Sequence, residues 1–411
     1  MRKRGALRAV VAIPIVSLLL VACWMVIRVA IAEYLSNTNS LSDRSLAARM
    51  FPSDADYQLR LAMLKITAKK DARPELRRAV QDSPQDASLW SRLADESQRW
   101  QDYDGAETQM LKAAQLSALY QPKARIATYY FYRQEPDKCI HWLRQALVMG
   151  SDQAILLFDI AQKAGLSPSE VTRLLPATGK ARSVYLAWIM SHGNIVDASP
   201  VADSVLSDYR KTHSVDDRDA LLVYCEQLAM GDHPNPDRAV LVWNQLVAAG
   251  FMEGQEIYPA VPVRLVDPDF ATVPLNRGFD WRIEPVSEIN VSTNHNIAFD
   301  LSGNEPERCN LLWQIVSVKP GETYKVTYEY HSSGLSTDSG IAWHVFNPAT
   351  STDLTPATPQ LEDGKGPQSF TFHVPEGSHF VQLVLSFARP VGSTRPSGNL
   401  TLDRVDLERA Q

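Results

Sequence analysis

"VPLNRGFDWRI", Val273 to Ile283, marks the point at which the chain changes character. Between Ala47 and Ala249 stand 29 alanines; from Ala271 to the end there are 7. Small residues at regular spacing let helices approach closely, so the first stretch predicts packed helices. Within the quoted segment Phe279, Trp281 and Ile283 alternate with Asp280 and Arg282, the period of a strand with one buried face. A change from helical to strand periodicity along one chain predicts separate α and β regions.

Downstream the alternation continues. "NIAFDL" places Ile297, Phe299 and Leu301 on one face, and "LLWQIVSV" runs into a Pro-Gly turn at Lys319–Glu322. "TYKVTYEY" sets Tyr324, Val326, Tyr328 and Tyr330 together. "GIAWHVF", "SFTFHV", "FVQLVLSF" and "NLTLDRVDL" complete eight strand candidates. An all-β sandwich is expected, with "LNRGFDWRI" (Leu275–Ile283) as the first strand of an independently folding domain and "TLDRVDL" as that strand's partner, since sandwiches commonly bring their ends together. The Asn-x-Gly-Phe start at Asn276–Phe279, "VKPGETYKVTYEY" and the closing "GNLTLDRVDL" resemble a galactose-binding-like jelly roll, the fold of many carbohydrate-binding modules, over about 275–409. The resemblance implies glycan binding and admits a structural calcium near Asn276, Asp280 or Asp403, although no local cluster of oxygen ligands accompanies it. No cofactor is expected.

Upstream, "SPQDASLWSRLADESQRWQDYDGAETQMLKAAQLS" (Ser83–Ser117) carries Trp90, Leu93, Ala94 and Ser97 on one helical face. Tyr103, Ala106, Met110 and Ala113 follow on a second helix. The segment resembles a tetratricopeptide repeat, and weaker copies flank it over about 52–150, with Ala72, Ala106 and Cys139 spaced 34 and 33 residues apart. Trp90, Leu93, Ala94, Tyr103, Ala106 and Ala113 are the expected packing residues. A degenerate unit is expected at Asp219–Gly250, with Ala239, Trp243 and Leu246 lining its second helix; residues 153–215 read as helical without a register. Such arrays share one continuous core and present a concave surface, and the resemblance implies a protein partner. Trp90, Trp100 and Trp142 are groove candidates, with inter-helix packing the plainer role.

The N-terminus carries Arg2, Lys3, Arg4 and Arg8, then 19 residues without a charge, Ala9–Ile27. As a helix that run spans roughly 28 Å, one hydrocarbon core. An uncleaved transmembrane anchor is expected. Two alternatives remain: a cleaved signal with its site near Ala30–Ala32, and a lipoprotein, because "LVAC" resembles a lipobox and would place lipid on Cys23. The basic flank predicts a cytoplasmic N-terminus and a periplasmic body.

The expected organisation is therefore a multidomain α plus β chain: a basic tail (1–8), an anchor (9–32), a tetratricopeptide-like solenoid (33–258), a Pro-rich linker or strap (259–274) and a β-sandwich (275–411). Net charge is −6, and past the N-terminus no long basic run exists, so nucleic acid is excluded as a partner. Cys23, Cys139, Cys225 and Cys309 fit no zinc or disulfide pattern, and no metal site is expected. No nucleophile elbow, P-loop or HExxH occurs. A glycosidase would need two carboxylates about 5–10 Å apart, and Asp280, Glu284, Asp300, Asp338 and Asp403 are the available acids. The chain is read as a non-enzyme, with a hydrolase and a pure protein scaffold as alternatives. Sugar binding needs a flat aromatic face and a few polar groups; Trp281, Trp313, Tyr330, Asp338, Trp343, His344 and Asn347 are the candidates. Trp343 and His344 point to opposite faces of one strand, so one site holds at most one of them. The expected role is an envelope scaffold beside exopolysaccharide synthesis or export.

Overall fold

A computed structural model describes residues 2–149, 154–177, 180–192, 195–231, 233–355 and 358–410, with backbone alone for residues 2–17, 196 and 365. The chain divides into two compact units, Met1–Leu166 and Ser167–Gln411.

The first unit is helical: α1 (Arg2–Ser36), α2 (Leu41–Met50), α3 (Ala55–Thr67), α4 (Arg73–Asp82), α5 (Ala87–Arg99), α6 (Tyr103–Leu116), α7 (Tyr120–Tyr132), α8 (Pro136–Leu147) and α9 (Ile155–Lys163). Helices α3 to α8 form three antiparallel pairs, the tetratricopeptide architecture. Ala62, Ala94 and Ala127 on the first helices are fully buried, as are Ala79, Ala113 and Ala146 on the second. Aspartates cap three of these helices: Asp54, Asp86 and Asp102 accept from the backbone N–H of Asp56, Ser88 and Gly105. Between the helices of each pair, Lys69, Gln101 and Gln134 adopt positive φ. The next N–H in each case reaches back to the last turn, Lys70 to the Lys65 carbonyl, Asp102 to Ser97 and Glu135 to Tyr130. This is the usual left-handed helix ending, made here without glycine. Of the expected packing residues, Leu93, Ala94, Ala106 and Ala113 are buried and Trp90 is half-buried. Tyr103 is a correction: its ring lies exposed under the Arg133 guanidinium, because a first-turn position faces outward here.

The second unit begins with α10 (Pro168–Leu174), α11 (Ala181–His192), α12 (Ser199–Thr212), α13 (Val215–Met230) and α14 (Pro236–Ala248). The pair α13–α14 is the degenerate unit expected at 219–250, and Ala239, Trp243 and Leu246 are fully buried on it. Ten strands follow: β1 (Arg282–Ile283), β2 (Ile289–Thr293), β3 (Ile297–Ser302), β4 (Arg308–Ser317), β5 (Thr323–Ser333), β6 (Ile341–Asn347), β7 (Thr352–Asp353), β8 (Gly364–His373), β9 (Phe380–Ala388) and β10 (Ser397–Arg409). They build two antiparallel sheets in the orders β1-β4-β9-β6-β7 and β2-β3-β10-β5-β8, the jelly-roll sandwich. One apolar core fills the space between them, with Ile297, Phe299, Tyr328, Trp343, Leu385 and Leu400 among its members.

Two details of the strand reading are corrected. "GFDWRI" is strand only at Arg282–Ile283, and it pairs with β4, not with "TLDRVDL", which lies in the other sheet between β3 and β5. The residues before it form a tight loop instead. Asp280 Oδ2 accepts from the Leu275 N–H at 2.7 Å and Asn276 Oδ1 from the Ile283 N–H at 2.7 Å. Gly278 takes φ +62° within that loop, and a Cβ there would come within 2.8 Å of the Trp243 ring. Phe279 is wedged between Trp243 of α14 and Phe380 of β9, with ring centroids 5.5 Å from each. The quoted segment is thus a seam joining the last helical pair to the sandwich. The Pro-rich stretch is a strap built into the β core rather than a free linker. Leu265 and Phe270 belong to the core, and the buried Gln314 side chain bonds both backbone groups of Val266.

Candidate functional site

The helical unit carries an open groove on its first-of-pair helices. Helix α7 presents two stripes. Ile126, Ala127 and Tyr130 face the core, whereas Gln121, Arg125, Thr128 and Tyr132, at helical spacing, line a cleft of about 450 Å³ with Asp95, Gln98 and Leu156. A second cleft of about 590 Å³, lined by Ser88, Ser91 and Arg92 of α5 and by Leu119 and Pro122, adjoins it at Asp95, Gln121 and Arg125. The Asp95–Arg125 ion pair, 2.6 Å apart and half-exposed, stands where the two meet. Partial desolvation in the groove raises the Asp95 carboxyl from its ordinary value, and Arg125 works against that rise. Leu119, Tyr132 and Leu156 are each more than half exposed, with Tyr132 at 73%. Apolar side chains this open, set around one charge pair, suit an extended peptide or a helix with mixed apolar and polar side chains. Sequence reasoning singled out Trp90, Trp100 and Trp142 instead. The Trp90 indole N–H is bonded to the Pro84 carbonyl, and Trp100 donates to Glu96 beneath Arg73. The signal for the groove was the second stripe on α7, which the core stripe masked.

In the sandwich the sugar candidates do not converge. Trp281, Tyr330 and Trp343 fill the core, Trp281 and Trp343 at 0% exposure with ring centroids 6.4 Å apart. They offer no flat face to a ligand. Trp313 lies on the outer face of its sheet with the Arg282 guanidinium 4.2 Å over its ring and its N–H donated to Glu284. His344, on the same sheet face, is half-buried with Nδ1 2.8 Å from Asp353. Asp338 is exposed on a loop. Asn347 is the candidate that lines a cleft. That cleft, about 470 Å³, lies between the α13–α14 turn and two sandwich loops, and includes Met230, Pro234, Pro236, Ser378, His379 and Phe380. Asn347 Nδ2 donates to Ser378 Oγ at 2.8 Å, and His379 is exposed beside them. Phe380 is buried against Phe279 there, so the cleft offers proline rings beside an amide, a hydroxyl and an imidazole, groups of the kinds a sugar ring can contact.

The acids are dispersed as well. Asp280 is fully buried with Oδ1 unpartnered, and burial pushes its carboxyl up to about 6. Glu284 is bound to Trp313, Asp300 accepts from Asn399 and Asp403 sits 2.9 Å from His331 Nδ1. Among the described residues no three His, Cys, Asp or Glu side chains gather as metal ligands. Of the oxygens considered for calcium, Asn276 Oδ1 takes the Ile283 N–H, Asp280 Oδ2 the Leu275 N–H, and Asp403 faces His331, whereas Asp280 Oδ1 is buried without a partner. Cys139 and Cys225 are buried thiols whose ionisation burial opposes.

No protein-family model matches the chain, and no curated protein does. Among solved structures, the β region is similar to a structure described as "CBM4 structure and function", at 14% identity over 32% of this chain and 88% of that one, with a TM-score of 0.26. A carbohydrate-binding module of the Cellvibrio mixtus lichenase 5A, solved in complex with cellotriose, is 12% identical over 31% and 92%, TM-score 0.21. The helical region is similar to YrrB, a tetratricopeptide protein with an unusual peptide-binding site, at 12% identity over 51% and 93%, TM-score 0.25.

Proposed function

We propose that the chain is a membrane-anchored adaptor of the bacterial envelope, holding a protein partner in the α5–α7 groove and a glycan on the jelly roll, without catalysis of its own. The observation that carries the reading is the groove: two adjoining clefts with Leu119, Tyr132 and Leu156 exposed around one ion pair. The glycan half is supported by the sandwich architecture and the cleft at Asn347, Ser378 and His379. The anchor is supported by α1, whose uncharged run Ala9–Ile27 is apolar enough and long enough to cross a membrane. The four basic residues ahead of it favour a cytoplasmic N-terminus and a periplasmic body. A place beside exopolysaccharide synthesis or export is part of the same proposal and is compatible with that orientation. A second reading, a protein scaffold whose β domain only braces the helices, is favoured by the core positions of Trp281, Tyr330 and Trp343 and by the seam at Phe279.

The test uses the full chain in detergent, passed over a panel of immobilised bacterial exopolysaccharides and plant β-glucans. Retention on at least one glycan, lost in His379→Ala with an unchanged melting temperature, is expected. Retention on none favours the bracing role. Release of shorter oligosaccharides from a retained glycan would replace the adaptor with a hydrolase.

A further inference from the structure

Helix α1 is one continuous element of 35 residues, about 52 Å long, through and beyond the uncharged run. Its surroundings change abruptly along its length. From Leu18 to Ile27 every residue is exposed, whichever way it points. At Arg28, the first charge after the run, the exposure becomes one-sided. Arg28, Ala32, Leu35 and Ser36, spaced as one helical stripe, turn toward α2 and α3. Ala32 is at 0% exposure in a cluster with Ala47, Ala48, Tyr57 and Leu61, and Leu35 packs against it. The Arg28 guanidinium donates to the Met50 carbonyl and lies 4.9 Å from the centroid of the Phe51 ring. Arg60 of α3 reaches back to Glu33 at 2.8 Å, to Ser36 Oγ at 2.9 Å and to Asn37 Oδ1 at 3.0 Å. The opposite stripe, Trp24, Ile27, Ile31 and Tyr34, stays open.

Two independent markers, the first charge and the first packed residue, therefore fall at the same position. We propose that α1 is a single rigid element shared between the bilayer and the repeat body: residues up to Ile27 lie in lipid, and Arg28–Ser36 is the first helix of the stack. This rests on the anchored reading above and deepens it. All-round exposure over Leu18–Ile27, about 15 Å of helix, continues an uncharged run that begins at Ala9 and spans roughly 28 Å as helix; the partner that suits such a run is a lipid bilayer. No tether separates it from the repeats, so the first helical layer is held within about two turns, roughly 13 Å, of the membrane surface. Processing at Ala30–Ala32 would remove Arg28 and take Ala32 out of the layer it fills. Lipid on Cys23 as a new N-terminus would cut the helix within its exposed run. The chain is retained whole.

The full chain, purified from membranes with its own N-terminus, gives an intact mass and a hydrogen-exchange map in nanodiscs. The expected mass includes residues up to and through Trp24–Ala32 without lipid. The expected map shows α2 and α3 protected, with exchange in α2 at least ~10-fold faster in Ala32→Glu, which places a charge in the packed layer. Arg60→Gln, a milder change, is expected to speed exchange at Glu33–Asn37, whereas Tyr34→Ser on the open stripe leaves α2 unchanged. A chain beginning after Ala32, or lipidated at Cys23, overturns the proposal. So does an intact chain in which neither Ala32→Glu nor Arg60→Gln alters exchange. An intact, soluble chain with the same exchange changes supports the docking and overturns the anchored reading instead.

Discussion

Asp280 shows how much one side chain decides in the seam loop. Its Oδ2 holds the Leu275 N–H, yet its Oδ1 is buried without a partner, and the carboxyl is pushed up to about 6 first by burial and then by nearby Asp267. A carboxyl whose folded pKa is raised favours the folded state when protonated. Its contribution is therefore full below the unfolded value near 4 and is lost as pH rises through about 6, on the order of 3 kcal/mol in all. Stability of the second unit is expected to fall across that window, and Asp280→Asn, neutral at every pH, to flatten the fall. Equal slopes in the two proteins would show that Asp280 does not set the dependence. At Ala94, fully buried on α5, leucine would overpack the repeat, and a loss of about 1–3 kcal/mol is expected in thermal unfolding. An unchanged melting temperature contradicts the register that pairs Ala94 with Ala62 and Ala127.

At the scale of elements, the seam governs. Phe279 touches both Trp243 and Phe380, so its removal empties a space shared by helix and sheet. Phe279→Ala is expected to cost about 3–5 kcal/mol. Tryptophan fluorescence and the β-type circular dichroism signal should both melt earlier; a lowered helical melt beside an unchanged β melt would show two independent domains. Elements with a full period were legible in the sequence. The alanines of the repeats and the alternating strands β3 and β5 carry their own burial pattern, and β4 and β9 are legible as near-continuous apolar runs. Strands β2 and β7 were missed because each is short or weakly alternating. The loop at Leu275–Trp281 was read as strand because its aromatics alternate, although Asn276 and Asp280 bind backbone across the loop. Sugar candidates chosen by residue type went to the core, since an aromatic suited to stacking on a ring is equally suited to filling a sandwich.

For the whole molecule, everything the groove and the sandwich can meet depends on which side of the membrane they stand. The α1 helix carries four basic residues before its uncharged run, and Arg28 beyond it is occupied by Met50 and Phe51. On the proposed function, the basic flank favours repeats and jelly roll outside the cytoplasmic membrane, tied to the bilayer by α1. The most direct measurement is a pair of reporters fused after Gln411 in a bacterial cell. Alkaline phosphatase is expected to be active and a cytoplasmic fluorescent protein dark. An inactive phosphatase with a bright fluorescent fusion would put the whole body in the cytoplasm and contradict the envelope role.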